Sequence, residues 1–269
     1  MKIKNRPCLA KKGGDKMKRI RMIITIMVLM LGFSSVPYAE EAAVSGSASV
    51  DVLSNYVWRG QKLSNSWVVQ PSVGIGYGGF SANIWSNYDS DASIDEGDGH
   101  GEFTETDVTL SYEYAIGKLS LGAGYIYYAL DGANDTQEFF VSAGYDVLLS
   151  PSLTVYYDYD EGNGAFIVAG IGHSFGMMKD ISLDIGATAG FNIEDKVMGL
   201  DSKGEEFTDF YNGELSAALS IPVTKAISVT PKIAYSFPLS NDAEDAISSV
   251  SNDGDDSVLY GGINLTLSF

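Results

Sequence analysis

The chain has 269 residues, one cysteine and a formal net charge of −18, from 35 acids against 17 cations. A surface of that sign repels a phosphate backbone and excludes nucleic acid as a partner. A single cysteine excludes an internal disulfide framework.

The first pattern runs from Met17, "MKRIRMIITIMVLMLGFSSVPYAEE". Lys18, Arg19 and Arg21 precede an apolar run over residues 22–33, and small residues follow up to Ala39. That order predicts a secretory signal peptide over 1–39, with residues 40–269 as the mature domain. The apolar run is too short to span a bilayer comfortably. Residues 1–16 read either as a long basic lead or as the product of a start upstream of Met17. The segment 1–39 holds nine of the 17 cations and one of the 35 acids, which leaves eight against 34, a net charge of −26. Cys8 leaves with it, so the mature chain is cysteine-free and carries no lipid-anchor thiol.

Beyond residue 39 the dominant signal is alternation with period two. In "ISLDIGATAGFNI", residues 181–193, Ile181, Leu183, Ile185, Ala187, Ala189, Phe191 and Ile193 share one face. Ser182, Asp184, Gly186, Thr188, Gly190 and Asn192 share the other, as only a strand arranges them. The segments read this way are 46–58, 66–77, 80–88, 104–116, 119–130, 136–148, 153–161, 165–175, 181–193, 209–221, 227–238 and 257–269. Most match the roughly 9–11 residues a tilted strand needs to cross a bilayer core. No helix-period segment is predicted after residue 39.

The connections alternate too. Gly78-Gly79, Gly117-Lys118, 149–152, 176–180 and 222–226 are short, whereas 89–103, 194–208 and 239–256 are long and acidic. Short turns at one end and long loops at the other predict an all-β transmembrane antiparallel barrel of about 12 strands, with periplasmic turns and extracellular loops. A soluble sandwich is the alternative, but its strands run nearer to about 5–6 residues. The chain ends on Leu265, Leu267 and Phe269, an ending similar to the terminal signature by which outer-membrane barrels engage the barrel-assembly machinery. In lipid, closing the sheet pairs every backbone polar group without leaving an edge. Tyr56, Trp58, Trp67, Tyr77, Phe80, Tyr88, Tyr112, Tyr114, Tyr157, Tyr159, Tyr211, Tyr235 and Phe237 take outward parity, which predicts aromatic girdles at the two interfaces. Lipid and lipopolysaccharide of a Gram-negative outer membrane are the surroundings this implies.

Residues 54–86, "SNYVWRGQKLSNSWVVQPSVGIGYGGFSANIWS", can then be read as a unit. Ser54, Tyr56, Val57, Arg59, Gly60, Ser64, Pro71, Tyr77, Gly79, Trp85 and Ser86 match a pattern of the bacterial TorF-type porins. The segment resembles the N-terminal motif of that family, with Ser72-Val73 where the family often has Ala-Val. The resemblance implies an outer-membrane pore and supplies neither a substrate nor a catalytic residue.

By parity Asp51, Asp107, Glu113, Glu138, Asp146, Asp158, Asp160, Asp184 and Glu214 face the lumen, with Arg59 and Lys232. The candidate pore-lining charges are Arg59, Asp107, Glu113, Asp146, Asp158, Asp184, Glu214 and Lys232. A ring of carboxylates favours cations in transit. The alternative is an interior network of ion pairs that fills a narrow barrel. Residues 89–102 are acid-rich but fail the EF-hand pattern, since Ile94 stands where Gly is required; the choice is between a solvated loop and loose divalent bridging to headgroups. His100 falls in that loop. His173 takes outward parity with no His-x-Ser spacing, so no catalytic set is predicted, and no cofactor is expected. In "NYVWRGQKLSNSW" parity aims Tyr56 and Trp58 at lipid and Arg59 at the lumen, near the outer rim. An ion pair that fixes the first hairpin is favoured for Arg59 over tuning of the entrance. The function expected is passive diffusion of small hydrophilic solutes or ions, with cations preferred, and the alternative is a non-porous structural or surface-interaction barrel.

Overall fold

The structure, a computed structural model, describes residues 44–92, 101–178, 180–251 and 253–269. The signal-peptide reading of 1–39, His100 and most of the acidic run at 89–102 lie outside the described residues. Among the described residues there are fourteen strands: β1 (Ser45–Leu53), β2 (Val57–Trp58), β3 (Gln61–Lys62), β4 (Val68–Tyr77), β5 (Phe80–Asp89), β6 (Glu102–Ile116), β7 (Leu119–Leu130), β8 (Thr136–Tyr145), β9 (Ser152–Asp158), β10 (Ala165–Gly176), β11 (Ser182–Ile193), β12 (Thr208–Pro222), β13 (Ile227–Pro238) and β14 (Val258–Ser268). Twelve of them close a barrel in the order β1-β14-β13-β12-β11-β10-β9-β8-β7-β6-β5-β4, every pairing antiparallel. The all-β barrel of 12 strands expected from the alternation is the fold.

Alternation sets what each face touches. Val73, Ile84, Leu110, Val141, Ile171, Leu215, Ile233 and Ile263 point outward and are exposed. A contiguous apolar exterior of that kind needs an apolar solvent. Outward rings crowd both ends: Phe80 packs on Tyr112 beside the short turns, while Tyr88 meets Phe103 and Tyr235 stacks on Phe237 beside the long loops. The inner face is hydroxyl-rich, with Ser81 against Ser111 at 2.6 Å, Asn83 donating to Ser72 at 2.8 Å, and Ser86 against Thr106 at 3.0 Å.

Three departures from strict alternation matter. First, β1 ends at Leu53, not at 58. The chain then turns inward, and β2 and β3 form a separate two-stranded hairpin pairing Val57 with Lys62 and Trp58 with Gln61. Tyr56 and Trp58 are therefore not girdle residues: Tyr56 is buried against Trp85, and Trp58 packs inside the barrel. Second, the β11–β12 register shifts between Ala189 and Phe191, so Tyr211 and Asn212 together oppose Gly190. That bulge keeps Phe210 outward and turns Tyr211, expected outward, into the interior, where it is fully buried. Third, the β13–β14 connection holds a helix, α1 (Asn241–Val250), where none was predicted. Ser240 caps it by accepting from the Ala243 N–H at 3.2 Å, and Asp242 and Glu244 sit in its first turn, where the helix dipole favours acids. Ala243, Ala246 and Ile247, at i, i+3 and i+4, form its buried stripe.

Candidate pore mouth and lumen

The hairpin of β2 and β3 crosses the lumen at the long-loop end. It leaves the wall between β1 and β4 and reaches the far side of the ring. Its turn is Arg59-Gly60, with φ of 48° and 88°. Two consecutive positive φ values are the mark of a type I′ turn. The Leu63 N–H donates to the Tyr56 carbonyl at 2.8 Å and extends the ladder by one rung. Gln61 Nε2 donates to the Val197 carbonyl at 2.9 Å and to the Tyr211 hydroxyl at 3.1 Å. The Lys62 N–H donates to Ser251 Oγ at 3.3 Å, and its ammonium pairs with Asp253. The first inward hairpin is thus tied to both of the later long loops.

At the tip, Arg59 Nη1 and Nη2 donate to Glu138 Oε1 and Oε2, both at 2.7 Å. The guanidinium carbon lies 4.4 Å from the Trp58 ring centroid, 4.4 Å from Tyr156 and 4.8 Å from Phe166. Tyr128 Oη donates to Glu138 Oε2 at 2.8 Å. The Arg59 side chain is 8% exposed and the Glu138 side chain 1%. Burial works against the Arg59 charge, but Glu138 outweighs it and raises the guanidinium above its ordinary value. It stays charged at any relevant pH.

Around this pair the lumen is packed. Phe166, Met198, Phe207, Tyr211, Ala243, Ala246 and Ile247 form one buried cluster, with Trp58 and Tyr156 against it. Leu53, Tyr56 and Val68 form a second, with Trp58, Leu63 and Trp85 against it. Tyr211 Oη donates to the Met198 carbonyl at 2.7 Å and locks the turn Lys196–Met198. Asp195 caps that turn through Oδ1, which accepts from the Val197 N–H at 3.1 Å, while its Oδ2 is buried without a hydrogen-bond partner. Burial pushes the Asp195 carboxyl up to about 6; Arg59 opposes the shift, and Asp158 and Glu138 add to it. Burial also lifts the Tyr56 hydroxyl well above its ordinary value, helped by the Glu105 carboxylate.

The other half of the lumen differs. Toward the short turns small side chains face one another: a Cβ on Gly122 would meet Ser142 Oγ, one on Gly144 Ser120 Oγ, one on Gly170 Ser152 Oγ, and one on Gly186 Ser216 Oγ. A cavity of about 360 Å³ opens there, with Ser45, Gly76, Ser81, Ser111 and Glu113 in its lining.

The candidate charges divide between these halves. Arg59 and Asp158 lie in the packed half. Asp158 is buried, faces Glu138 across the β8–β9 ladder, and accepts from Thr136 Oγ1 at 2.6 Å and from the Asp160 N–H at 2.8 Å. Asp107 is on the same arc, opposite Tyr128, with one carboxylate oxygen buried and unpaired. Glu113 lines the short-turn cavity. Asp184 accepts from Ser220 Oγ at 2.7 Å and from Ser182. Glu214 accepts from Tyr260 Oη at 2.8 Å. Lys232 Nζ stands 2.6 Å from Asp51 Oδ1, and Asn264 holds Asp51 Oδ2 at 2.9 Å. Asp146 is not on a strand: β8 stops at Tyr145, and Asp146 is exposed in the turn, its N–H donating to the Lys118 carbonyl at 2.8 Å. Missing from the candidate set are Trp58, Tyr156 and Phe166, the rings around Arg59, and Asp195 behind it. The Arg-Gly pair between alternating residues was the available signal for the turn; nothing local marks the rings from β9 and β10.

No protein-family model matches the chain, and no curated protein matches it. Solved structures do. The NanC porin is 13% identical over 84% of this chain and 99% of its own, with a TM-score of 0.50. The KdgM porin, solved in complex with disordered oligogalacturonate, is 12% identical over 84% and 99%, with a TM-score of 0.49. An outer-membrane channel from Pseudomonas putida F1 is 10% identical over 88% and 98%, with a TM-score of 0.47. The likeness to NanC is one of fold, the closed antiparallel barrel.

Proposed function

We propose that this chain, matured by removal of residues 1–39, is a porin-like channel of a Gram-negative outer membrane, related to the TorF-type porins. It passes small hydrophilic solutes or ions and prefers cations; it is not an enzyme. Its long loops face outward, and Phe269 serves its delivery to the assembly machinery. The observation that carries the reading is the charge of the inner face. Outside the packed half, Asp51, Glu113, Asp184 and Glu214 stand there against Lys232. A net negative lumen raises the local concentration of cations and repels anions. Reversal potentials across a planar bilayer under a potassium chloride gradient test it. Anion selectivity would refute the preference.

A second reading, a non-porous surface barrel, is favoured by one observation: the packed clusters on either side of Trp58. Absence of conductance in both the native protein and a variant lacking the β2–β3 hairpin would decide for it.

A further inference from the structure

We propose that the wall around Arg59 is a binding site for guanidinium-bearing solutes, and that the chain's own Arg59 is its tethered occupant. The inference deepens the channel reading by naming a solute class, and its effect on passage rests on that reading.

The site is shaped for this group. Glu138 offers both carboxylate oxygens to the two terminal nitrogens at 2.7 Å, a fork-to-fork match that an ammonium cannot reproduce. The rings of Trp58, Tyr156 and Phe166 surround the planar cation at 4.4–4.8 Å. The carboxylate is fixed in place by Tyr128. Most of this comes from the barrel wall: Tyr128, Glu138, Tyr156 and Phe166 sit on four adjacent strands, β7 to β10. Only Trp58 belongs to the hairpin.

The turn itself does not call for arginine. A type I′ turn favours Asn, Asp or Gly at its first central position, and a longer side chain is strained at a φ of 48°. Arginine stands there against the local preference, so its side chain answers to the cage. Arg59 sits on a hairpin held by Gln61, Lys62 and Trp58, so its effective concentration at the cage exceeds the millimolar level of a flexible tether. A solute carrying guanidinium therefore displaces the tip only above that level, and occupies the cage freely once Arg59 is removed.

The substitution Arg59→Asn provides the test. Asn-Gly is the strongest type I′ pair, so the hairpin keeps its turn while the cage is emptied. Methylguanidinium is titrated into the detergent-folded variant and thermal melting is followed. The melting temperature is expected to rise saturably by roughly 2–4 °C. Methylammonium should leave it unmoved, and Arg59→Asn with Glu138→Gln should not respond to methylguanidinium. No saturable rise, an equal rise with methylammonium, or a rise that survives in the double variant would each overturn the site. If Arg59→Asn does not fold, Arg59→Gly, which suits the same turn, takes its place in the titration. Methylguanidinium, and not methylammonium, should raise its melting temperature saturably, and no such rise overturns the proposal. These readouts report the site whether or not the barrel conducts, so a silent bilayer would remove the channel reading and leave the site standing.

Discussion

Phe269 lies across Gly46 at the seam where the barrel closes. The Gly46 N–H donates to the Phe269 carbonyl at 2.7 Å, the Phe269 N–H returns a bond at 2.9 Å, and a Cβ on Gly46 would stand 2.5 Å from the Phe269 ring. On the same seam Gly262 pairs with Leu53, and there a Cβ would fall 1.9 Å from the Val52 carbonyl oxygen. The two glycines answer to different neighbours. Phe269 is 74% exposed and its ring can swing aside, whereas the Val52 backbone is held in the ladder. Gly262→Ala is expected to destabilise the barrel by about 1–3 kcal/mol through overpacking. Gly46→Ala should change it by about 0.5 kcal/mol or less. Urea unfolding midpoints in detergent compare them directly.

The two ion pairs of the hairpin should also differ. Arg59 and Glu138 are almost fully buried, while Lys62 and Asp253 keep 15% and 29% of their side chains exposed. Glu138→Gln leaves a buried guanidinium without its counter-charge and should cost about 3–5 kcal/mol. Asp253→Asn breaks a pair that water already screens and should cost about 1 kcal/mol or less. Equal unfolding shifts in the two variants would contradict this placement of Arg59.

Asp195 gives the packed mouth a pH dependence. Its folded value of about 6 lies above that of an unfolded aspartate, because burial disfavours the charge more than Arg59 restores it. The fold therefore holds a proton that the unfolded chain has released. The stabilisation is complete below about pH 4 and is lost as pH rises through 6. At neutral pH the buried charge carries a penalty on the order of 3 kcal/mol. Asp195→Asn keeps a side-chain oxygen for the Val197 N–H and should flatten this part of the profile. Melting temperatures of the two proteins between pH 4 and pH 7 should converge in acid and separate at neutrality, the variant being the more stable.

Much of the wall was legible and little of its filling was. Period-two alternation survives averaging over a strand, so the limits of β7, β11 and β13 stand within a residue of the sequence reading. Parity, however, is a local rule that must be restarted at every break. Carrying it from Leu53 across Ser54 and Asn55 aimed Tyr56 and Trp58 at lipid, although β1 had already ended. Carrying it across the bulge at Gly190 did the same to Tyr211. The helix α1 escaped because its buried stripe is two alanines and one isoleucine, a weak apolar signal inside a run of acids. Its cap, Ser240 followed by Asp242 and Glu244, was readable. The Arg59 cage assembles rings from three separate segments, and no single-window pattern can bring them together.

If the mouth is narrowed by what packs into it, releasing α1 should widen it without harming the wall. Ile247 is 1% exposed and lies in the cluster with Met198 and Tyr211, and the Ala246 carbonyl stands 3.1 Å from where a Cβ on Gly199 would sit. Ile247→Asp puts a charge into that cluster, and the cheapest escape is for the helix to leave it. None of the twelve barrel pairings runs through α1, so the strand signal in circular dichroism should be kept. Single-channel conductance should rise at least twofold over the native protein, and protease cleavage should appear within 239–256. Ile247→Leu, which preserves volume and apolarity, should conduct like the native protein. If Ile247→Asp retains its strand signal and is cleaved, yet conducts no better, α1 does not limit passage, and the constriction belongs to the β2–β3 hairpin.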